Sequence, residues 1–443
     1  MRQAGFPRIV WGIALPLLFA ELSEIVVQVT DTIFLARVGI AELGAIALAD
    51  SIWEMFLVLP LGLVDGIQIL TGRLMGRRQG RAAGEIFNQG LLLIVVMVVV
   101  LAALLAALLP WLAPLVSDDP EVVVATERFL GVALFGLPFT AAAFGYSALL
   151  SSLGKTRVLV PATILLAATN ALLGWVLIFG HFGAPAMGIR GAAIASVAAE
   201  IVTFAFLTVY LMRLPATRRL GLFRFRGWNR RVVRRLVRLS GPVSLQGFVQ
   251  AVRWFAFFVL VATLGPVALA VASVVYACYV TLRIPTEAFA EAACSLTSRL
   301  VGRDRPGRVG TVVRSAITGA GVITAPAVVL ALVAPEWVLS VFSLEPSLLG
   351  AGVASLRVVA LAMLIVTPAE MWFAAVLGTG DTPASLGLEV LLTVLTLSGA
   401  AIGVFLMSGG VELAWGALAM GWLAVLVASW AWMRSGMWRQ RAV

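Results

Sequence analysis

Charge is what this sequence has least of. Of its 443 residues only 12% are Asp, Glu, Lys or Arg, against about 25% in soluble proteins, while 61% are apolar. No segment of about 50 residues is polar enough to form a separate soluble domain. Cysteine is nearly absent. Cys278 and Cys294 lie 16 positions apart on one predicted helix, roughly 24 Å along its axis, which excludes a disulfide scaffold. The single histidine, His181, falls in a loop between predicted spans and is poorly placed for a proton relay. With so few of either residue there is no Cys/His metal cluster. Phosphate-loop chemistry is missing as well: Gly154-Lys-Thr156 lacks the upstream glycine of Gly-x-x-x-x-Gly-Lys-Ser/Thr. The chain therefore reads as a non-enzyme with no cofactor and no ATP site. Only Arg2 and Arg8 precede the first apolar run, and no small-residue cleavage site follows at signal-peptide spacing, so that run is expected to be retained.

What is present are apolar runs long enough to cross a bilayer. Breaks between them place about twelve spans, near 9–35, 42–72, 86–116, 122–152, 157–180, 188–212, 237–262, 267–298, 309–343, 349–378, 383–408 and 411–434. Continuous runs of this length make helices; barrel strands would alternate in segments of about ten. The expected fold class is an all-α polytopic membrane protein. Its formal net charge of +10 is concentrated in breaks. Arg73, Arg77, Arg78 and Arg81 form one group, Lys155 and Arg157 another, ten arginines from Arg213 to Arg238 a third, and Arg299 to Arg308 a fourth. The intervening loops are acidic, Ser117-Asp-Asp-Pro-Glu121 and Ser343-Leu-Glu-Pro-Ser347. Alternation of this kind is the positive-inside pattern, predicting a plasma (inner) membrane protein with both termini cytoplasmic and no nucleic-acid partner.

The chain also repeats. An offset of 226 carries Pro16 to Pro242, Gly39 to Gly265, Thr71 to Thr297, Arg73 to Arg299 and Gly154 to Gly380. Six spans return the chain to its starting side, so the halves are parallel repeats about an axis along the membrane normal. Expected boundaries are an N-terminal lobe over 1–212, a basic cytoplasmic linker over 213–236 carrying an interfacial helix, and a C-terminal lobe over 237–443.

Polar residues inside spans are expensive and mark pathways or paired interiors. On the first span Glu21, Glu24, Gln28 and Asp31 fall on one stripe about 80° wide. Two carboxylates one turn apart, Glu21 and Glu24, cannot both ionise cheaply, which suits proton exchange; alternatively each bonds a neighbouring helix. Asp31 has only Arg37 nearby along its helix. The second span offers Asp50 and Glu54, the seventh Gln246, Gln250, Arg253 and Trp254, and the eighth Tyr276, Tyr279, Arg283 and Glu287. Arg253 and Arg283 are candidates for buried pairs with Glu54 or Glu287, the last at the favourable i, i+4 spacing from Arg283. Glu200, Glu370 and Glu389 are secondary candidates. Trp11, Trp111, Trp337 and Trp438 stand near span ends as interfacial anchors.

With these residues in view the chain resembles the multidrug and toxic compound extrusion (MATE) family. The carrying segments are Val29-Thr-Asp31 through Gly39, Thr71-Gly-Arg-Leu-Met-Gly76, Asn170 through Gly180, Met187 through Ser196, and Gly378-Thr-Gly-Asp-Thr-Pro383. The resemblance implies two pseudo-symmetric six-helix lobes in a V around a cavity, and export of amphipathic or cationic small molecules against inward protons or sodium. It is strongest to the prokaryotic branch related to DNA-damage-inducible protein F, whose first-helix aspartate matches Asp31 and whose fifth-span asparagine matches Asn170. Gly174 stands where that branch has a second aspartate, and Ser196 where it has a threonine. The candidate coupling set joins Asp31, Asn170 and Ser196, which the resemblance implies, to Glu21, Glu24 and Glu200, which come from this chain's own intramembrane carboxylates. The candidate substrate-facing set, read from the polar helix faces, is Gln28, Asp50, Glu54, Gln246, Gln250, Arg253, Trp254, Tyr276, Tyr279, Arg283, Glu287 and Glu370. The expected partners are small-molecule substrates and membrane lipids, and the expected state a monomer. The alternative is a lipid-linked precursor flippase of the same superfamily, which would handle anionic pyrophosphate headgroups.

Overall fold

Apolar runs bounded by Gly and Pro fold as the hydropathy pattern predicts, into helices and, among the described residues, no strand. The computed structural model describes residues 5–116, 119–225, 227–342, 346–407 and 410–441. Ser117, Asp118 and Ser343 to Glu345 of the acidic loops, and Arg2 and Arg226, lie outside the described residues.

The first half contains α1 (Phe6–Ala36), α2 (Ile40–Gly76), α3 (Gly80–Val116), α4 (Pro120–Ala133), α5 (Leu137–Leu153), α6 (Leu159–Phe179), α7 (Ile189–Arg213) and the short α8 (Pro215–Leu220). The second contains α9 (Arg230–Ala262), α10 (Pro266–Gly302), α11 (Val309–Val333), α12 (Pro335–Phe342), α13 (Pro346–Gly378), α14 (Thr382–Ala401), α15 (Val411–Ser435) and α16 (Trp438–Arg441). Eleven helical stretches are long and apolar enough to cross a bilayer, and α4 with α5 makes a twelfth across a 56° bend.

Local chemistry explains the ends. Asp119 caps α4 by accepting the Glu121 amide at 2.9 Å, and Pro120 sits in its first turn, where a missing N–H costs nothing. Gly154 and Gly180 close α5 and α6 with φ of +67° and +78°, a region that suits glycine. The fourth span breaks at Leu134–Gly136 because Pro138, in the first turn of α5, cannot continue the hydrogen-bond ladder.

Four expectations are corrected. The fourth span is two helices, and the region expected as one span over 309–343 is α11 followed by a separate α12. The amphipathic run from Arg230 to Leu239 is no free interfacial helix but the first turns of α9, continuous with the seventh span. Trp438 is buried, its indole N–H donating to the Met433 carbonyl at 3.2 Å, so it is no exposed anchor.

By packing, the chain divides into two units: Phe19–Arg238, and Leu239–Val443 together with the start of the chain as far as Leu18. In the first unit the linker is bound to α3. Asn88 donates to the Gly221 carbonyl at 2.9 Å and accepts the Phe223 amide at 2.9 Å, while Gln89 donates to the Gly227 carbonyl at 2.7 Å. Gly84 permits this approach, since a Cβ there would overlap the Leu220 carbonyl. The second unit has a core centred on Phe257, Tyr279, Trp415 and Trp422, contributed by α9, α10 and α15.

Candidate functional site

Asp31 is the residue of the α1 stripe that the fold buries, at 7% exposure. Glu21 is half-buried, and Glu24 and Gln28 keep accessible side chains, so of the four only Asp31 is enclosed. Asn170 of α6, only 1% exposed, donates through Nδ2 to Asp31 Oδ2 at 3.5 Å and to Ser196 Oγ of α7 at 3.0 Å. Ser196 in turn donates to the Ala192 carbonyl at 3.1 Å. Three helices thus deliver one carboxylate, one amide and one hydroxyl to a single buried place. Asp31 Oδ1 and Asn170 Oδ1 are left with no hydrogen-bond partner. The ion pairs found among the described residues do not involve Asp31; its electrostatic neighbours include Asp50, another acid.

Two glycines shape this place. Gly191 lets α7 close on α6, because a Cβ there would lie 2.6 Å from the Leu177 carbonyl. That contact brings Ser196 within reach of Asn170. Gly174 faces Phe34: a Cβ would stand 3.5 Å from its ring, which itself packs edge-on against Phe179 at 5.6 Å. The Phe34 ring thus borders position 174 at van der Waals distance.

Glu200, one turn beyond Ser196 on α7, is brought not to Asp31 but to the broken fourth span. Its carboxylate lies against Gly136, with Thr140 as a polar neighbour, and Oε2 has no hydrogen-bond partner. Asp50 is half-buried on α2; the Glu54 side chain lies outside what is described.

In the second unit the polar residues are paired. Arg253 of α9 meets Glu389 of α14 at 3.2 Å, with exposures of 2% and 5%. Glu389, not the expected Glu287, is thus the partner found for Arg253 among the described side chains. Arg283 of α10 binds Glu287 at 2.9 Å, as the i, i+4 spacing predicts, and also Glu370 of α13. The two guanidinium groups lie over aromatic rings, Arg253 on Trp254 at 5.6 Å and Arg283 on Tyr279 at 5.3 Å. Trp422 donates its indole N–H to the Tyr279 hydroxyl at 3.2 Å. Tyr276 packs on Trp254 at 4.6 Å, while Gln246 and Gln250 are half-buried. Glu389 is the functional-looking residue that sequence reasoning undervalued; its signal was a lone carboxylate in an apolar span, with nothing along the helix to name its partner.

The repeat offset shows how far the halves have diverged. It carries Asp31, Asn170 and Ser196 onto Phe257, Thr396 and Trp422, and it carries Arg253, Glu389, Arg283 and Glu370 back onto Val27, Thr163, Leu57 and Phe144. Each half keeps its polar group where the other is apolar or weakly polar. Among the described residues, twelve spans in two diverged repeats, each with its own buried polar constellation, define a polytopic helical membrane protein of the parallel-repeat transporter type.

The chain belongs to the MatE family, whose profile matches residues 16–176 and again 242–402. The shift between the two matches is 226 residues, the offset already read from the sequence. Among relatives, it is 25% identical over 259 residues to the probable multidrug resistance protein NorM of Agrobacterium fabrum, covering 58% of this chain and 56% of that one. It is 26% identical over 337 residues to that of Aromatoleum aromaticum, covering 75% and 72%. The chain spans only 56% to 62% of the length of the Agrobacterium and Brucella relatives. In fold it is similar to the Vibrio cholerae MATE transporter VcmN in its bent form, with a TM-score of 0.89 at 17% identity over 99% of this chain and 98% of that one. It is likewise similar to a MOP-superfamily transporter from Pyrococcus furiosus, with a TM-score of 0.88 at 19% identity over 98% of each.

Proposed function

We propose that this protein is a secondary active multidrug efflux antiporter, exporting amphipathic, cationic compounds in exchange for protons or sodium ions by alternating access. The observation that carries the reading is Asp31: a carboxylate buried in a membrane-spanning helix, hydrogen-bonded by the Asn170 amide, which also binds the Ser196 hydroxyl, and found in none of the ion pairs among the described residues. Such a group is costly to leave ionised, so a proton, a metal cation or a cationic substrate can each satisfy it, and only one at a time. Competition for one carboxylate is the elementary step of exchange. The names of the relatives, multidrug resistance proteins, support the substrate class.

Asn170 and Ser196 act as positioning residues that hold the carboxylate in one orientation. Glu200, next to the bend of the fourth span, the half-buried Glu21 and the accessible Glu24 are secondary coupling groups. In the second unit the half-buried Trp254 and Tyr276 supply aromatic surface for a cationic amphiphile, whereas Tyr279 is fully buried in the core and does not. A flippase of anionic lipid-linked precursors is the competing reading. Against it, Arg253 and Arg283 are already neutralised by three glutamates. The protein works as a monomer in the plasma membrane, with both termini in the cytoplasm.

The test is transport in vesicles with pH and sodium gradients imposed separately. One proton exchanged per substrate lets a unit of pH difference support about a tenfold substrate gradient, worth ~1.4 kcal/mol. Asp31→Asn should collapse that ratio to about one while the protein stays folded. Binding of a cationic dye should weaken as pH falls, because the protonated carboxyl is neutral, and Asp31→Asn should flatten that dependence. Intact proton-driven efflux in Asp31→Asn sinks the proposal.

A further inference from the structure

We infer that a cavity between the first turns of α1 and α11 binds the phosphate of an anionic phospholipid headgroup. The cavity, of about 410 Å³, lies within the second unit and is lined by Pro7, Trp11, Thr311, Arg314, Ser315 and Thr318. On α11 the lining residues are spaced i, i+3, i+4 and i+7, one face of the helix, while Val309, Val312, Val313, Ala316 and Ala320 on the other face are buried.

Three features point to a phospholipid. First, Arg314 stands five residues into a membrane-spanning helix, about 7.5 Å from its start, and has no carboxylate partner among the described residues. Helical side chains lean toward the N-terminus, so its guanidinium points back toward the bilayer surface, at phosphate depth. A cation there is satisfied by water or by a lipid phosphate, and the phosphate oxygens match its planar donors. Second, the hydroxyls beside it can turn outward. Ser315 and Thr318 donate back to the Thr311 and Arg314 carbonyls at 2.9 and 3.0 Å, contacts a rotating hydroxyl can exchange for a ligand oxygen.

Third, the same face changes character with depth. Beyond Thr318 it continues as exposed Val322, Val329 and Val333, a smooth apolar track for an acyl chain. A charged and hydroxylated end above an apolar track is the profile of an anionic phospholipid, not of free phosphate. Trp11 closes the opposite wall, its ring pinned edge-on to Phe289 at 5.1 Å, at the depth where tryptophan sits by a headgroup.

Trp11 also makes the site readable. The full-length protein is reconstituted in phosphatidylcholine bilayers and titrated with phosphatidylglycerol carrying brominated acyl chains; the Trp11 signal is the difference between wild type and Trp11→Phe. Phosphatidylglycerol should quench this component at lower mole fraction than brominated phosphatidylcholine does. Arg314→Gln should weaken its apparent affinity about fivefold, the effect of one arginine at an anionic surface. Arg314→Lys should retain most of it, and Ser315→Ala with Thr318→Ala should weaken it with the charge intact. Equal quenching by the two lipids, or a preference unchanged in Arg314→Gln, overturns the inference. Loss of the preference on adding millimolar inorganic phosphate at constant ionic strength overturns it too, assigning the cavity to the free ion.

Discussion

The Arg253–Glu389 pair allows a quantitative prediction. At 3.2 Å and an effective dielectric constant of about 20, the two charges attract by roughly 5 kcal/mol, a gain of the same order as the cost of removing both from water. The pair as a whole is therefore close to neutral for stability, while either member alone is not. Glu389→Gln leaves a guanidinium that is 2% exposed facing an amide, and breaking a buried pair in this way costs about 3–5 kcal/mol. The lower end is expected, because Arg253 keeps its position over Trp254 at 5.6 Å. For a unit of roughly 200 residues, that corresponds to a fall of about 6–12 °C in melting temperature. Replacing both, Arg253→Met with Glu389→Leu, removes the charges and keeps the volume, and should return stability to within ~1 kcal/mol of wild type. Thermal unfolding in detergent, followed by tryptophan fluorescence, compares wild type, the single variant and the double variant. A single variant that melts within ~2 °C of wild type, or a double variant as unstable as the single, refutes the reasoning.

The remaining predictions concern glycines. Gly84→Ala drives a Cβ into the Leu220 carbonyl, a backbone group that cannot turn aside, and should cost about 1–3 kcal/mol. Gly131→Ala on α4 meets nothing within 4 Å and should stabilise by up to ~1 kcal/mol; melting temperatures that move in the same direction for both would contradict this account. Gly174→Asp should destabilise by a similar ~1–3 kcal/mol through collision with Phe34, and Phe34→Ala in the same chain should relieve much of it. Failure of that rescue in a stability assay would show that the ring is not what excludes an acid at this position.

Much of the architecture was legible because it follows from local rules. Span positions depend on runs of apolar residues, which the bilayer requires whatever their neighbours, and the 226-residue repeat is a property of the string itself. What resisted were features set by hydrogen-bond continuity. The run from Arg230 to Leu239 has the composition of an interfacial helix, but no Pro or Gly stops it until Gly241 and Pro242, and the α-helix continues through both. The fourth span looked uniform in hydropathy and is broken all the same, since Pro138 acts through a missing donor rather than through polarity.

For the candidate site, the sequence determined which residues are chemically out of place in a membrane: Asp31, Glu200, Arg253, Arg283, Glu370 and Glu389 are costly in a span wherever the chain puts them. It could not determine partners. Helical projection grouped Glu21, Glu24, Gln28 and Asp31 on one stripe, yet only Asp31 is buried against Asn170 and Ser196, on helices 139 and 165 residues further along the chain. Arg253 found Glu389 across a similar distance in sequence. Polarity is a property of each residue and survives in the string, whereas pairing depends on which helix faces meet, and a close backbone approach such as that at Gly191 decides that only once the helices are packed.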